Sequence, residues 1–475
     1  MTRSPGRLRI LLFVAGFVAF AAGAARADWD PFGSSGAAPS GPEATWGGLV
    51  YSRWNADLVN DLNGEQLHEW RNKGLLDVEI TERGKWSVHM SGAARWELLP
   101  RRRGGDARFD AELWEAWGRI ERKDWELVVG QQIRRWGRGV PSLLDVLNPG
   151  DFDEYLFVED EFQKRPIPMA RWTVYRDQNE LEVVAIPFYR AARLPGNQSD
   201  WAPIAIRDLQ GAEDIPLVES ALNQDIAPGL VTEATDDLRY AEAGLRWTHY
   251  GEGWDLDVIG FFGAEDLPAP DFTKDFSAFL RAEQARGRTP LQTLRSLAFQ
   301  EIAAFSPMYV QKPRRQALFG ASVARAMEKV TARFEAIAVS RQSTFTEALE
   351  LIRVPAFAVL AGFDALSSDR FLWSLSLIGA ALATDEKLFM IDRFNAIALG
   401  IMRARLGQGG FWLETRGMWD INLGDGWVGP SLIYETPVAG LQAQAGVNLL
   451  AGPEDTPNGA LSDNSYVWLR LRYAF

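Results

Sequence analysis

The chain has 475 residues, 50 Lys+Arg against 63 Asp+Glu for a net charge of −13, and no cysteine. The missing thiols exclude disulfide scaffolds, thiolate zinc sites, iron–sulfur clusters and cysteine nucleophiles. Three scattered histidines (His68, His89, His249) leave no multi-histidine metal centre, and the acidic balance argues against nucleic acid as a partner. The 19 Trp and 26 Phe exceed what a soluble enzyme of this length usually carries, so composition points away from most soluble-enzyme classes.

The N-terminus reads as an address. Arg3, Arg7 and Arg9 precede an apolar run from Ile10 to Ala22, and Ala25-Arg26-Ala27 supplies a small-residue cleavage site. That order is a secretory signal peptide, and the run is shorter than the roughly 20 residues a spanning helix needs. Residues 1–27 are therefore expected to be removed, residues 28–45 to form an N-terminal periplasmic segment, and residues 46–475 to form one domain. No later segment offers a spanning helix, since Val354–Leu366 is interrupted by Pro355 and Asp364. An exported chain of this kind is either soluble or a closed barrel in an outer membrane.

Alternation along the chain favours the barrel. In chain order, 18 candidate strands fall near 48–58, 66–80, 86–98, 108–121, 125–137, 168–176, 181–190, 237–250, 254–266, 315–327, 329–342, 353–366, 370–382, 394–407, 410–422, 426–437, 441–452 and 465–475. Trp86, Val88, Met90, Ala94, Trp96 and Leu98 oppose His89, Arg95 and Glu97. Val467, Leu469, Leu471, Tyr473 and Phe475 oppose Tyr466, Trp468, Arg470, Arg472 and Ala474. Period-two alternation over about ten residues, with aromatics near strand ends, is the pattern of apolar faces to lipid and polar faces to a lumen. A secreted β-sandwich also alternates, but its strands run only about 5–6 residues. Every second connection is short, from Glu82-Arg83-Gly84 to 437–440, whereas 138–167, 191–236, 267–314 and 453–464 are long. The expected fold is thus an all-β transmembrane antiparallel barrel of 16–18 strands with long extracellular loops, some helical.

A barrel of that size encloses an aqueous channel unless something fills it. The inward faces carry both signs of charge, with Arg95, Glu97, Arg246, Lys329, Arg333, Glu335, Arg403, Arg405, Glu414, Arg416, Arg470 and Arg472 as lumen or selectivity residues. Their C-terminal arginines suggest a basic wall facing acids elsewhere, and rings of lumen charge select solutes. The connection 139–166 carries Asp145, Asn148, Pro149, Asp151, Asp153 and Glu154 among apolar Leu143, Leu144, Val146, Leu147, Tyr155 and Phe157. That stretch is too apolar for a solvated excursion, so it is expected to fold inward as a constriction, setting acids against arginines. Helices are expected at 275–286 and from Thr289-Pro290, capping the mouth.

Residues Gly130-Gln131-Gln132-Ile133-Arg134-Arg135-Trp136-Gly137-Arg138-Gly139, followed by Asp145-Val146-Leu147-Asn148-Pro149, resemble a segment of a poorly characterised family of Gram-negative outer-membrane barrels. Its motif is a G-x-Q-x-x-x-W-G strand end before a D-x-x-N-P loop. The resemblance implies an outer-membrane location and transport of hydrophobic compounds or exported lipids and polymers. From the residues themselves, Gly137 and Gly139 suit a tight turn, Asn148-Pro149 starts another, and Asp145 suits hydrogen bonding to nearby backbone.

An enzyme is not expected, because no spacing brings a nucleophile, base and orienting group together; nor is a nucleotide, metal or organic cofactor. The expected function is a channel passing small or hydrophobic solutes through a loop-narrowed, charged lumen. The alternatives are the outer-membrane component of a lipid or polysaccharide export system, paired with an inner-membrane exporter, and a plugged structural or adhesion barrel. Expected partners are outer-membrane lipid, lipopolysaccharide and the assembly machinery that meets the strand ending at Phe475.

Overall fold

The computed structural model describes residues 42–58, 68–99, 106–139, 141–195, 201, 230–232, 237–267, 269–288, 292–293, 309–368, 370–389, 391–454 and 456–475. The signal peptide, most of residues 28–45 and the expected helix from Thr289 lie outside them, Gln292 and Thr293 excepted.

Eighteen strands close into one antiparallel barrel. They begin with β1 (Glu43–Asp57), β2 (His68–Glu82), β3 (Trp86–Leu99), β4 (Asp106–Arg122), β5 (Trp125–Gln132), β6 (Ile167–Arg176) and β7 (Asn179–Ile186). A short β8 (Leu230–Thr232) precedes β9 (Glu242–Gly251) and β10 (Trp254–Ala264) of the wall. Then come β11 (Pro270–Phe272), helix α1 (Lys274–Ala285) and β12 (Tyr309–Gln311). The wall continues with β13 (Arg315–Ala326), β14 (Val330–Phe345), β15 (Leu351–Ser368), β16 (Phe371–Leu382) and β17 (Phe394–Leu406). It ends with β18 (Phe411–Asp420), β19 (Asp425–Glu435), β20 (Leu441–Ala451) and β21 (Tyr466–Ala474). Each wall strand pairs with the next, and β1 pairs with β21 from Leu49↔Ala474 to Asp57↔Tyr466. Gly48 and Phe475 exchange backbone hydrogen bonds of 2.9 and 3.0 Å at that closure. No edge strand is left open, which removes the unpaired backbone groups that lipid could not satisfy.

The expected turn parity holds around the wall. At one end are tight turns such as 83–85, where Gly84 at φ 68° adopts the left-handed conformation that closes β2 to β3; the long connections gather at the other. The outer surface is apolar, with Leu181, Val183, Leu245, Phe334, Leu375, Leu377, Leu469 and Leu471 all exposed. Aromatics ring both ends, with Trp46, Trp247 and Trp254 toward the turns and Trp54, Trp70, Phe109, Phe262 and Trp419 toward the loops. Water would strip such a surface into aggregates; lipid accepts it. The inner surface carries the buried charges.

Among the differences from the sequence reading, four stand out. β1 starts at Glu43, inside the stretch assigned to a periplasmic segment, because residues from Glu43 onward pair with β2. β5 ends at Gln132 rather than 137, since Asn148 captures the backbone just beyond it, as described below. β9 starts at Glu242 because the Asp237 side chain accepts from the Arg239 amide and caps a 3-10 turn over Leu238–Tyr240. Lys329, expected in the lumen, sits exposed in the turn between β13 and β14.

At the loop end, β8, β11 and β12 form a separate small sheet. Helix α1 lies close to the predicted range, with Phe276 and Leu280 fully buried. Glu283, which interrupts its apolar stripe, is buried beside Arg286 and Arg288. The helix docks on the β14–β15 connection through Arg281–Glu350 (3.0 Å) and Gln284 Nε2 to the Glu347 carbonyl (3.1 Å).

Candidate functional site: a loop folded into the lumen

The connection from β5 to β6 turns inward and crosses the barrel. The motif residues hold its root. Gln131 Nε2 donates to the Leu113 and Trp114 carbonyls (2.8 and 2.7 Å), bridging the irregularity where β4 shifts register against β3. At Gly130 an added Cβ would sit 2.6 Å from Trp117 Cα, so the close strand approach needs glycine. Asn148, fully buried, accepts from the Arg134 amide (2.7 Å) and donates to the Gln132 and Arg165 carbonyls (3.0 and 2.9 Å). One side chain thus ties the departing chain to the returning one. Pro149 follows, its carbonyl accepting from the Arg165 amide at 2.8 Å.

Beyond this root the loop has two halves. In the first, Trp136, Leu144 and Leu147 pack on inward residues of four wall strands: Ile167, Met169, Val184, Ile186, Ile259, Phe261 and Ile337. Several polar groups around this cluster are paired. Trp136 Nε1 and Arg134 Nη2 donate to Glu182 (2.5 and 2.6 Å), Ser142 Oγ and the Leu143 amide donate to Glu335 (2.9 and 2.7 Å), and Arg138 pairs with Asp257 (2.8 Å). Gly137 makes the turn here at φ 91°, where an added Cβ would also collide with Ser142. Asp145, expected to brace the loop, meets Lys164 at 3.4 Å, and burial pushes its carboxyl above the ordinary value.

The second half is an acidic strip on a basic wall. Asp151 pairs with Arg95 (2.7 Å) and Arg193 (3.2 Å); Asp153 lies 3.8 Å from both Arg71 and Arg95. Glu154 contacts Arg53 and Lys73, with Arg71 at 3.9 Å. Glu159 accepts from Tyr51 and from Arg53 (2.8 Å), with Lys73 at 3.3 Å and Arg470 at 3.6 Å. Burial opposes ionisation of Asp151 and Glu159, but the cations outweigh it, Arg95 and Arg193 for the first and Arg53, Lys73 and Arg470 for the second. Both carboxyls stay below the usual range. Phe162 and Val158 pin the same strip against Tyr51, Ala93 and Trp114. Phe157 packs edge-on to Trp427 and Tyr466, at 5.0 and 5.6 Å between ring centroids.

Between this strip and the β17–β21 wall lies a cleft of roughly 340 Å³. Glu159, Asp160 and Glu161 line its loop side; Arg403, Arg416, Arg470 and Arg472 line the wall, with Gln442, Gln444 and Asn448 between them. Asp160 meets Arg416 at 3.4 Å and Glu161 meets Arg472 at 2.7 Å. Arg416 also bonds Glu414 (2.8 Å), and Arg470 Nε donates to Gln444 (2.8 Å) with its guanidinium over the Trp468 ring. Guanidinium planes resting on indoles are oriented as well as attracted, so these cations stand as fixed forks.

The predicted residues therefore divide. Arg416, Arg470 and Arg472 meet the loop acids. Arg403 and Arg405 instead flank Trp412, pairing with Glu435 (3.3 Å) and the Gly409 carbonyl (3.4 Å). Arg246 pairs with Glu180 (2.7 Å), Arg333 with Asp364 (2.8 Å) and Glu97 with Arg71 (3.2 Å), each across neighbouring strands. Sequence reasoning missed Arg53, Arg71 and Lys73, which hold most of the acidic strip; alternation in β1 and β2 was the signal that places them inside. Among the histidines, His89 stacks on Trp117 in the lumen (5.0 Å) and His249 lies on the outer face between Trp247 and Trp254.

Fold and site together define a transmembrane β-barrel whose lumen is narrowed by its own loop. No protein-family model and no curated protein sequence matches the chain. Among solved structures, the chain is similar to Pseudomonas aeruginosa OccK7 (OpdD), at 10% identity over 91% of this chain and 99% of that one, TM-score 0.48. It is also similar to Acinetobacter baumannii OccAB4, at 8% identity over 94% and 100%, TM-score 0.48. Acinetobacter baumannii OccAB3 follows at 11% identity over 91% and 99%, TM-score 0.46.

Proposed function

We propose that the protein is a diffusion channel in the outer membrane of a Gram-negative bacterium, its long loops outward and its tight turns in the periplasm. It passes small polar solutes through the cleft beside the inward loop. The observation that carries this reading is the lining of that cleft, with carboxylates on the loop and arginines on the facing wall. Opposed charges set up a transverse field, which orients a dipolar or zwitterionic solute and holds anionic groups on the arginine side. Fixed charges at about 4 Å and an effective dielectric near 20 interact by about 4 kcal/mol, strong enough to sort solutes and weak enough to release them after partial hydration. The polar lining favours such solutes over the hydrophobic ones that the sequence also allowed.

The test is planar-bilayer recording and liposome swelling with the refolded mature chain. Discrete conductance steps, with zwitterionic solutes of amino-acid size entering faster than neutral apolar ones of equal mass, support the channel. A correctly folded barrel that gives neither steps nor swelling overturns it and leaves the plugged barrel standing.

A further inference from the structure

One charged feature of the outer surface has no part in the lumen. At the loop end of β9, β10 and β13–β15, Arg239, Arg315, Arg341 and Arg353 converge above the apolar belt. Arg315 follows the outward register of β13 and lies over the outward Phe262 ring at 5.1 Å. Its guanidinium is held by backbone carbonyls, those of Ala241 (3.1 Å) and Arg239, and not by a carboxylate. Arg353 Nη2 donates to the Arg315 carbonyl at 2.5 Å, which ties the Arg353 side chain to the start of β13. Arg341 lies in the register shift of β14 between Val339 and Gln342, next to Ser340, whose Oγ accepts from the Ala317 amide at 2.9 Å. It is exposed and makes no ion pair among the described residues. Among the described residues the acids facing the group are few: Asp237 holds Arg239 (3.2 Å) and Glu265 lies 3.6 Å from Arg353, while Glu242 is buried and accepts from the Ala264 amide. Arg315 and Arg341 are thus left with unspent positive charge. Directly below, toward the membrane centre, Phe262, Phe319, Phe334 and Phe357 stand exposed on the outer wall.

Cations at the rim over an aromatic apolar wall match an amphiphile with a phosphorylated head and several acyl chains. The geometry points to this surface as a binding site for a phosphorylated outer-leaflet glycolipid, with its phosphate between Arg315 and Arg341 and its acyl chains along the β10–β15 face. The assignment rests on the outer-membrane reading above, which decides that such a lipid surrounds this rim. Arginine suits the task because its fork engages phosphate bidentately, and preorganisation by backbone carbonyls lowers the ordering entropy of that contact. The bulge at Ser340–Arg341 is what turns an extra cation toward the lipid at this level.

The experiment uses the full-length mature barrel in detergent, with lipid A as probe and native mass spectrometry as readout. Bis-phosphorylated lipid A is expected to bind at one saturable site. Removal of its phosphates should weaken binding at least tenfold, as should R315Q/R341Q, and millimolar inorganic phosphate should not displace it. The exposed R341Q alone is expected to weaken binding severalfold, which covers the case in which the double variant folds poorly, while Arg325→Gln near the turn end changes nothing. Equal lipid A binding by wild type and folded R341Q, or displacement by free phosphate, overturns the site. The outer-membrane reading fails differently, by fractionation of the expressed protein with another membrane, which leaves the detergent measurement interpretable.

Discussion

Releasing the acidic strip from its wall should widen the pore, and the structure sets how much must be removed. Glu154 and Glu159 together neutralise Arg53 and Lys73, all four being buried. Removing one partner of a buried ion pair typically costs about 3–5 kcal/mol, because the other charge stays desolvated. Against this, the burial of Phe162 (0% exposed) and Val158 (6%) holds the strip by roughly 1.5–3 kcal/mol for each side chain. Glu159→Gln should therefore leave the loop near balance, with wild-type conductance interrupted by brief larger openings. The pair E154Q/E159Q exceeds the apolar contribution even if the two losses are less than additive, and should give a persistently larger conductance. Single-channel recording reads the outcome, with heat-modifiable migration and circular dichroism confirming a folded barrel. A folded double variant with unchanged unitary conductance would refute the claim that these pairs hold the constriction.

Other expectations follow from the same geometry. Asn148→Ala strands an amide and two carbonyls at the loop root, at about 1–3 kcal/mol for each group left buried without a partner; it should raise amide hydrogen exchange of residues 133–166 while the wall strands stay protected. Arg416→Glu reverses a charge of the cleft and should shift the reversal potential in a KCl gradient toward cation selectivity, whereas Arg333→Gln, paired with Asp364 on the other side of the barrel, should not. Leu469→Lys places a charge in the outer apolar belt and should destabilise the folded barrel by about 2–4 kcal/mol in urea titration with phospholipid vesicles. Asp266, in the connection after β10, has its carboxyl pushed up to about 6, chiefly by burial. Its folded-state value lies above its unfolded one, so its contribution is fully present below about pH 4 and is lost as pH rises through 6. Asp266→Asn should accordingly raise the melting temperature at pH 8 and leave it nearly unchanged at pH 4.

The wall was legible because lipid and water impose a period of two on every strand, and each of the 18 expected segments overlaps one strand of the wall. The inward loop was legible for a related reason: Leu144 and Leu147 have no place in a solvated excursion, and they now lie buried against Val184 and Ile259. What stayed hidden was pairing. Alternation puts Arg53, Arg71 and Arg470 inside alike, but which of them meets Glu159 depends on how far the loop reaches across the lumen, and no local spacing carries that distance. In the sequence Asn148 shows only a turn starter; its bridging bonds to Gln132, Arg134 and Arg165 depend on the chain returning alongside itself. Strand ends moved for similar reasons, as at Gln132, where side-chain capture beyond the strand overrides a continuing pattern.

The anchors of the acidic strip have a bearing on how the molecule assembles. Arg53 belongs to the first strand and Arg470 and Arg472 to the last, and those strands meet only when the cylinder is complete. The inserted segment therefore works as a staple across the seam. It cannot find its full set of partners while the two ends of the sheet are apart, and its insertion marks the moment at which the wall has become continuous.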